Sequence, residues 1–328
     1  MRYLSTLTFL FTVSVTFAQH TNFNTQRNWS LNKKEILFGV GATQFTGDLG
    51  GRNQVGKDYS LRDIDIPSTG IGGMIGFRYR FHPFWATTTA LNVGLLRGND
   101  ALTNELIRES RNLHFRSLYI ELQQRIECIV YSNEKFGARY RLPGHKGFKD
   151  HNQQIYLFTG IGASYFNPKA QYNGSWTALR PLGTEGQGLP DGPKKYLPVT
   201  ATIPFGVGVR FGLGRMWRIG VEATFVKTFS DYIDDVHGTY ADPALLSSPA
   251  AQYLSNPANN NTSWFAPGQQ RGDKNNDAYY NLNVVVYRNI TYKDYAKQKL
   301  TIGIKVVTNS NVENMLMKLT GWQLSPRF

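Results

Sequence analysis

Ala201-Thr202-Ile203-Pro204-Phe205-Gly206-Val207-Gly208-Val209-Arg210-Phe211-Gly212 is the stretch that decides the fold. Ala201, Ile203, Phe205, Val207, Val209 and Phe211 hold one parity; Thr202, Pro204, Gly206, Gly208, Arg210 and Gly212 hold the other. Successive side chains of a strand point to opposite faces, so one face is oily and the other small or ionic. A soluble, lipocalin-like barrel would turn the oily face inward; a membrane barrel turns it to lipid. Glycine on the ionic parity suits a crowded lumen better than a solvated surface. The oily stripe also stays free of charge until Lys227 and Arg288 near strand ends. We therefore expect the oily face to meet lipid.

The alternation recurs in Glu35–Phe45, Ile71–His82, Trp85–Leu96, Phe115–Tyr131, Gln154–Phe166, Trp217–Phe229 and Tyr279–Tyr292. Each stretch reaches the roughly 9–11 residues that cross a bilayer at a tilt. The expected fold is all-β: an eight-stranded antiparallel transmembrane β-barrel with long extracellular loops and a C-terminal extension. His82-Pro83, the 132–152 segment and Leu213–Met216 connect strands on one rim; 46–70, 97–114, 167–200 and 230–278 connect them on the other. Outer-membrane barrels have short periplasmic turns and longer outside loops. The Lys- and Arg-rich 132–152 connection breaks that rule and is expected to be a periplasmic contact. Residues 181–193 and 256–262 read as mobile loops, and Asn173-Gly174 as a turn. Phe81, Phe84, Trp85, Tyr131, Tyr165, Phe166, Trp217, Phe229, Tyr279 and Tyr280 sit near strand ends, where interfacial girdles belong.

Met1–Ala18 opens with Arg2, runs apolar from Leu4 to Phe17 and ends Thr16-Phe17-Ala18, the form of a secretory signal peptide. Residues 19–292 then make the barrel. Residues 293–328 form the extension, read as a strand at Lys299–Val307 and a short apolar helix at Val312–Leu319. It either hangs in the periplasm or supplies a final barrel strand. The single cysteine, Cys128, excludes an internal disulfide and falls on an oily face, where packing is its simplest role. The formal net charge of +13 would suit nucleic acid, but export argues against that partner. Outer-membrane lipids or an acidic protein fit better.

With the oily parity outside, the lumen receives Arg78, Arg80, Arg125, Arg210 and Arg218 together with Glu35, Glu121, Glu127 and Glu222. Charges withdrawn from water must pair, so a ladder of salt bridges is expected. An eight-stranded barrel is only wide enough for its own side chains, which makes it plugged and not a pore.

Chemistry-bearing motifs are few. Gly47-Asp48-Leu49-Gly50-Gly51 follows the first strand without the strand–helix setting of a nucleotide loop. Asp48, Asp231, Asp234 and Asp235 lie at the ends of strands that neighbour each other in a closed barrel. They could offer oxygen ligands to Ca²⁺, but acids that cap turns are the commoner case, so no metal is expected. His20, His82, His114, His145, His151 and His237 show no metal-ligand spacing. His237 with Ser230 and Asp231 is the nearest approach to a hydrolase constellation. Neither catalysis nor a cofactor is expected.

Gly47-Asp48-Leu49-Gly50-Gly51, Arg80-Phe81-His82-Pro83, Ser230-Asp231-Tyr232-Ile233-Asp234-Asp235-Val236 with Gly238–Asp242, and Gly272–Asp277 resemble the PorG family over roughly residues 31–292. That family is the outer-membrane barrel of the type IX secretion system of Bacteroidota. The resemblance marks Gly47, Asp48, Gly50, Gly51, Asp231, Tyr232, Asp234 and Asp235 as family motif positions. It implies a non-enzymatic component that ties a periplasmic ring, built from a PorK-like lipoprotein and a PorN-like protein, to the outer membrane for protein export and gliding-related secretion. Loops 167–200 and 230–278 and the tail from Lys293 depart from the family pattern.

Overall fold

The computed structural model describes residues 32–49, 66–102, 106–133, 153–213, 216–258, 263–273 and 275–291. Among the described residues, period-two alternation produces nine strands: β1 Lys34–Thr46, β2 Gly70–Arg80, β3 Trp85–Asn99, β4 His114–Asn133, β5 Gln153–Tyr172, β6 Ser175–Ala178, β7 Val199–Gly212, β8 Trp217–Thr228 and β9 Ala278–Asn289. Eight of them close antiparallel in the order β4-β3-β2-β1-β9-β8-β7-β5, and a β4–β5 pairing completes the cylinder. The remaining strand, β6, is a short hairpin arm on β5. Its turn uses Asn173 (φ 47°) and Gly174 (φ 77°), the paired left-handed residues that a two-residue hairpin requires.

The oily parity lies outside. Phe38, Val40, Ile71, Phe205, Val207, Val221, Leu282 and Val284 are 41–70% exposed around the belt. A soluble barrel would hide this stripe, so the lipocalin-like alternative fails. Cys128 faces outward and is half-buried. Inside, Leu37, Met74, Ala90, Val285 and Tyr287 form one apolar cluster, and Ile129, Tyr156 and Phe158 another. A larger one, including Phe45, Phe115, Tyr119, Phe166, Val226 and Tyr279, fills the other end of the lumen and continues under the loops. Phe166 and Tyr279 therefore correct the expected girdle: both are wholly buried, because their parity points inward.

Most strand ends move slightly from their expected places. β2 stops at Arg80, because His82 and Trp85 exchange backbone hydrogen bonds at 3.2 Å and turn the chain. β9 stops at Asn289; Tyr292 lies outside the described residues. β5 runs six residues beyond Phe166, and the 167–200 stretch read as loop also holds β6 and a short helix at Leu179–Leu182. The rim helices are α1 Leu106–Arg111, α2 Leu179–Leu182 and α3 Pro249–Ser255. Ser248 caps α3 by accepting from the Ala251 amide, and Pro249 occupies its first turn. Val130 and Tyr131 both face outward, because β4 carries a bulge there. The β5–β7 register skips from Thr159↔Phe205 to Gly162↔Thr202 beside Pro204, which has no amide to donate. The signal peptide, the 134–152 connection and the 293–328 extension lie outside the described residues.

Glycines make room for aromatic rings that cross the lumen. Gly208 stands between Tyr156 of β5 and Glu222 of β8 in the register, and the Tyr156 ring lies where a Gly208 Cβ would be. The Tyr119 ring lies over Gly94 in the same way, 2.6 Å from the position of a Cβ. We expect Gly208→Val to push Tyr156 off Glu222 and to deplete the compact, heat-modifiable species on a semi-native gel. An undiminished compact band would refute this packing.

Candidate functional site

Each of the eight barrel strands contributes a side chain to one polar network inside the lumen. Glu35 (β1), Arg78 (β2), Thr88 (β3) and Arg125 (β4) are successive register partners, so the pleat brings them to one level. Glu35 Oε2 accepts from Arg78 Nη1 and from Arg210 Nη1 of β7, each at 2.9 Å. Arg218 Nε of β8 approaches its other oxygen at 3.5 Å. Arg78 Nε donates to Glu127 Oε2 at 2.6 Å, and Thr88 Oγ1 donates to Glu127 Oε1 at 2.5 Å. Arg125 holds Glu222 with two nitrogens, at 2.9 and 3.0 Å, and stacks over Phe158 at 4.3 Å. Tyr287 of β9 donates to Glu222 at 2.6 Å; Tyr156 of β5 also bonds it.

Two residues read as rungs are placed differently. Glu121 accepts from the neutral donors Gln123 Nε2 and Thr202 Oγ1, each at 2.6 Å, because the lumen at its level is lined by amides and hydroxyls. Arg80 lies at the turn rim and donates to the Pro83 carbonyl at 2.6 Å. Glu35, Arg78, Arg210 and Glu222 are no more than 1% exposed. The ladder is therefore shielded from bulk solvent.

The opposite rim carries a built cap that depends on two arginines absent from the sequence reading. Arg111 of α1 grips Asp100 at 2.7 and 3.1 Å and donates to the carbonyls of Asp48 (2.7 Å) and Arg271 (2.9 Å). Arg271 in turn donates to Glu185 at 3.0 Å and to the Asp235 carbonyl at 2.7 Å. Four inter-strand segments are thereby tied together. Tyr196 stacks on Tyr232 with centroids 4.4 Å apart and donates to Asp235 at 2.6 Å. Thr184 donates to the other Asp235 oxygen. Segment 181–193, read as mobile, is part of this bonded cap. Lone arginines in loops carry no spacing signal, so only the folded contacts reveal Arg111 and Arg271.

Within the cap the aspartates converge. Ligand oxygens of Asp48, Asp231 and Asp273 lie within 4.8 Å of one another. Asp234 and Asp277 are wholly buried behind them. Burial, reinforced by the Asp273 charge, pushes the Asp48 carboxyl up to about 7. Burial with the Asp48 and Asp234 charges pushes Asp231 up to about 10. Asp234 and Asp277 are also raised, first by burial and then by their carboxylate neighbours. The expected four-aspartate rim is thus corrected: Asp235 turns to Thr184 and Tyr196, while Asp273 and Asp277 join. Gly50 and Gly51 lie outside the described residues. His237 Nδ1 bonds Asp231, but Ser230 Oγ accepts from the Tyr232 amide at 3.2 Å. The serine of the suspected hydrolase constellation is thus engaged by backbone.

No protein-family model matches the chain, and no curated protein sequence does either. Similar solved structures include Neisserial surface protein A, with 7% identity, TM-score 0.34, and 78% of this chain against 97% of that one. The attachment invasion locus protein of Yersinia pestis aligns with 10% identity, TM-score 0.31, and 78% of this chain against 99% of that one. The outer membrane protein OprG of Pseudomonas aeruginosa gives 12% identity, TM-score 0.31, and 78% of this chain against 93% of that one. At these values no ligand or partner passes from them to this chain.

Removing Arg125 strips buried Glu222 of both guanidinium bonds. Arg125→Leu should cost about 3–5 kcal/mol, read as a lower urea midpoint of the refolded barrel. Adding Glu222→Leu should recover part of that loss; an unchanged midpoint in the single variant would refute the ladder.

Proposed function

We propose that this chain is a sealed outer-membrane barrel that anchors a periplasmic assembly and conducts no solute. The observation that carries the reading is the ion-paired network spanning all eight strands inside an apolar outer belt. A solute would have to break that network to pass. The PorG resemblance supplies the finer assignment: a non-enzymatic part of the type IX secretion machinery, with a PorK-like lipoprotein and a PorN-like ring protein as partners. β1 begins and β9 ends on the rim of short turns, and β4 and β5 join there. The ring would therefore meet the barrel on that rim, with the cap outside the cell.

Lipid contact has its own support. Arg97, Arg116 and Lys169 are direct register partners across β3, β4 and β5, on the outward parity, beyond exposed Leu118 and Tyr165. Like charges placed opposite one another destabilise a sheet, and lipid phosphates at that level would offset the repulsion.

Affinity purification from native membranes should bring down both ring proteins, and planar bilayers containing the pure barrel should show no conductance steps. Recovery of the barrel without ring proteins, together with binding to host cells, would replace the secretion reading with that of an adhesin.

A further inference from the structure

We propose that the Asp48, Asp231 and Asp273 carboxylates, with Asp234 and Asp277 behind them, form a divalent-cation site of the calcium type that locks the barrel cap. Three ligand oxygens within 4.8 Å of one another suit a hard cation, which takes several oxygen ligands from mobile carboxylates. The site is drawn from the segment after β1, the segment after β8 and the approach to β9, so a bound ion would staple three chain regions.

The buried oxygens point to the ligand independently of the clustering. Asp231 Oδ1, Asp234 Oδ2 and Asp277 Oδ1 accept no hydrogen bond among the described residues, although their residues are 4%, 0% and 0% exposed. Buried polar atoms are nearly always bonded, and an unpartnered carboxylate oxygen is the costliest exception. Their remaining bonds are to single backbone amides or to His237: Asp234 Oδ1 accepts from Val236, Asp277 Oδ2 from Ile233, and Asp231 Oδ2 bonds the imidazole. The free oxygen of Asp277 lies against Gly47, next to Asp48, and Asp48 Oδ2 lies against Gly272, next to Asp273. A Cβ at Gly47 would collide with the Asp277 oxygen, and one at Gly272 with the Asp48 oxygen.

Charge supports the same reading. Arg111 pairs with Asp100 and Arg271 with Glu185, so among the described residues neither guanidinium forms an ion pair with these five aspartates. An all-oxygen donor set with a single, already engaged imidazole favours calcium over the transition metals. An open groove of about 540 Å³, lined by Arg108, Trp264 and Gln270 among others, leads from the surface to Asp48 and Asp273. It gives the ion a way in.

The test uses the full mature chain, refolded in detergent free of lipopolysaccharide and stripped with chelator. Calcium chloride titrated calorimetrically should bind saturably at one ion per barrel, with magnesium chloride weaker. Calcium should also slow proteolysis of the cap. Asp48→Asn with Asp231→Asn should abolish both effects. A variant that failed to fold would lose its heat-modifiable band, and Asp273→Asn then gives the reading from the exposed side of the site. No saturable binding by the folded barrel, or binding that survives the double variant, overturns the proposal.

Discussion

The structure depends on charge neutralisation in a place that water cannot enter. Once the apolar parity of every strand is committed to the exterior, whatever stands on the other parity must fill the lumen and satisfy itself there. Glu35, Glu127 and Glu222 do so by sharing Arg78, Arg125, Arg210 and Arg218. Because each strand supplies a member, the network measures the register of the whole cylinder. A slip of one residue in any strand would turn its member out to the belt.

The lumen and the cap obey different rules. In the lumen, acids and guanidiniums interleave and hydroxyls from Tyr156, Tyr287 and Thr88 take up the remaining acceptors. In the cap, Arg111 and Arg271 bond backbone carbonyls and the carboxylates of Asp100 and Glu185, so they organise loops and make no direct ion pair with the central aspartates among the described residues. Bonded connections and a cluster of carboxyl groups thus coexist at one rim. The aromatic stack of Phe166, Tyr196 and Tyr232 gives the cap an apolar floor continuous with the barrel interior.

The barrel was legible because period-two alternation is a local signal, and the parity of Phe205 against Arg210 already separates outside from inside. Its limits are equally physical. Phe166 and Tyr279 stand near the strand ends expected from the sequence, as girdle residues do, but Phe166 lies six residues inside β5 and both have inward parity. Glu121 shares the parity of Glu127, but its partner Thr202 comes from a strand three further along the sequence. Arg111 meets Asp48 and Arg271 across separations of 63 and 160 residues, and no pattern in the chain announces such contacts. The aspartate motif was visible as a set of acids at neighbouring strand ends. Which of them face one another was not, because Asp235 adopts a left-handed backbone (φ 68°) that swings it away.

The unequal lengths of the strands have an electrical consequence. β3, β4 and β5 span 15, 20 and 20 residues, while β9, β1 and β2 span 12, 13 and 11. The tall wall carries Arg97, Arg116 and Lys169 on its outer flank, and the aspartates gather above the low wall. The described charges therefore separate laterally, guanidinium and ammonium groups on one flank and carboxyl groups over the other, which gives anionic neighbours a preferred side of the barrel.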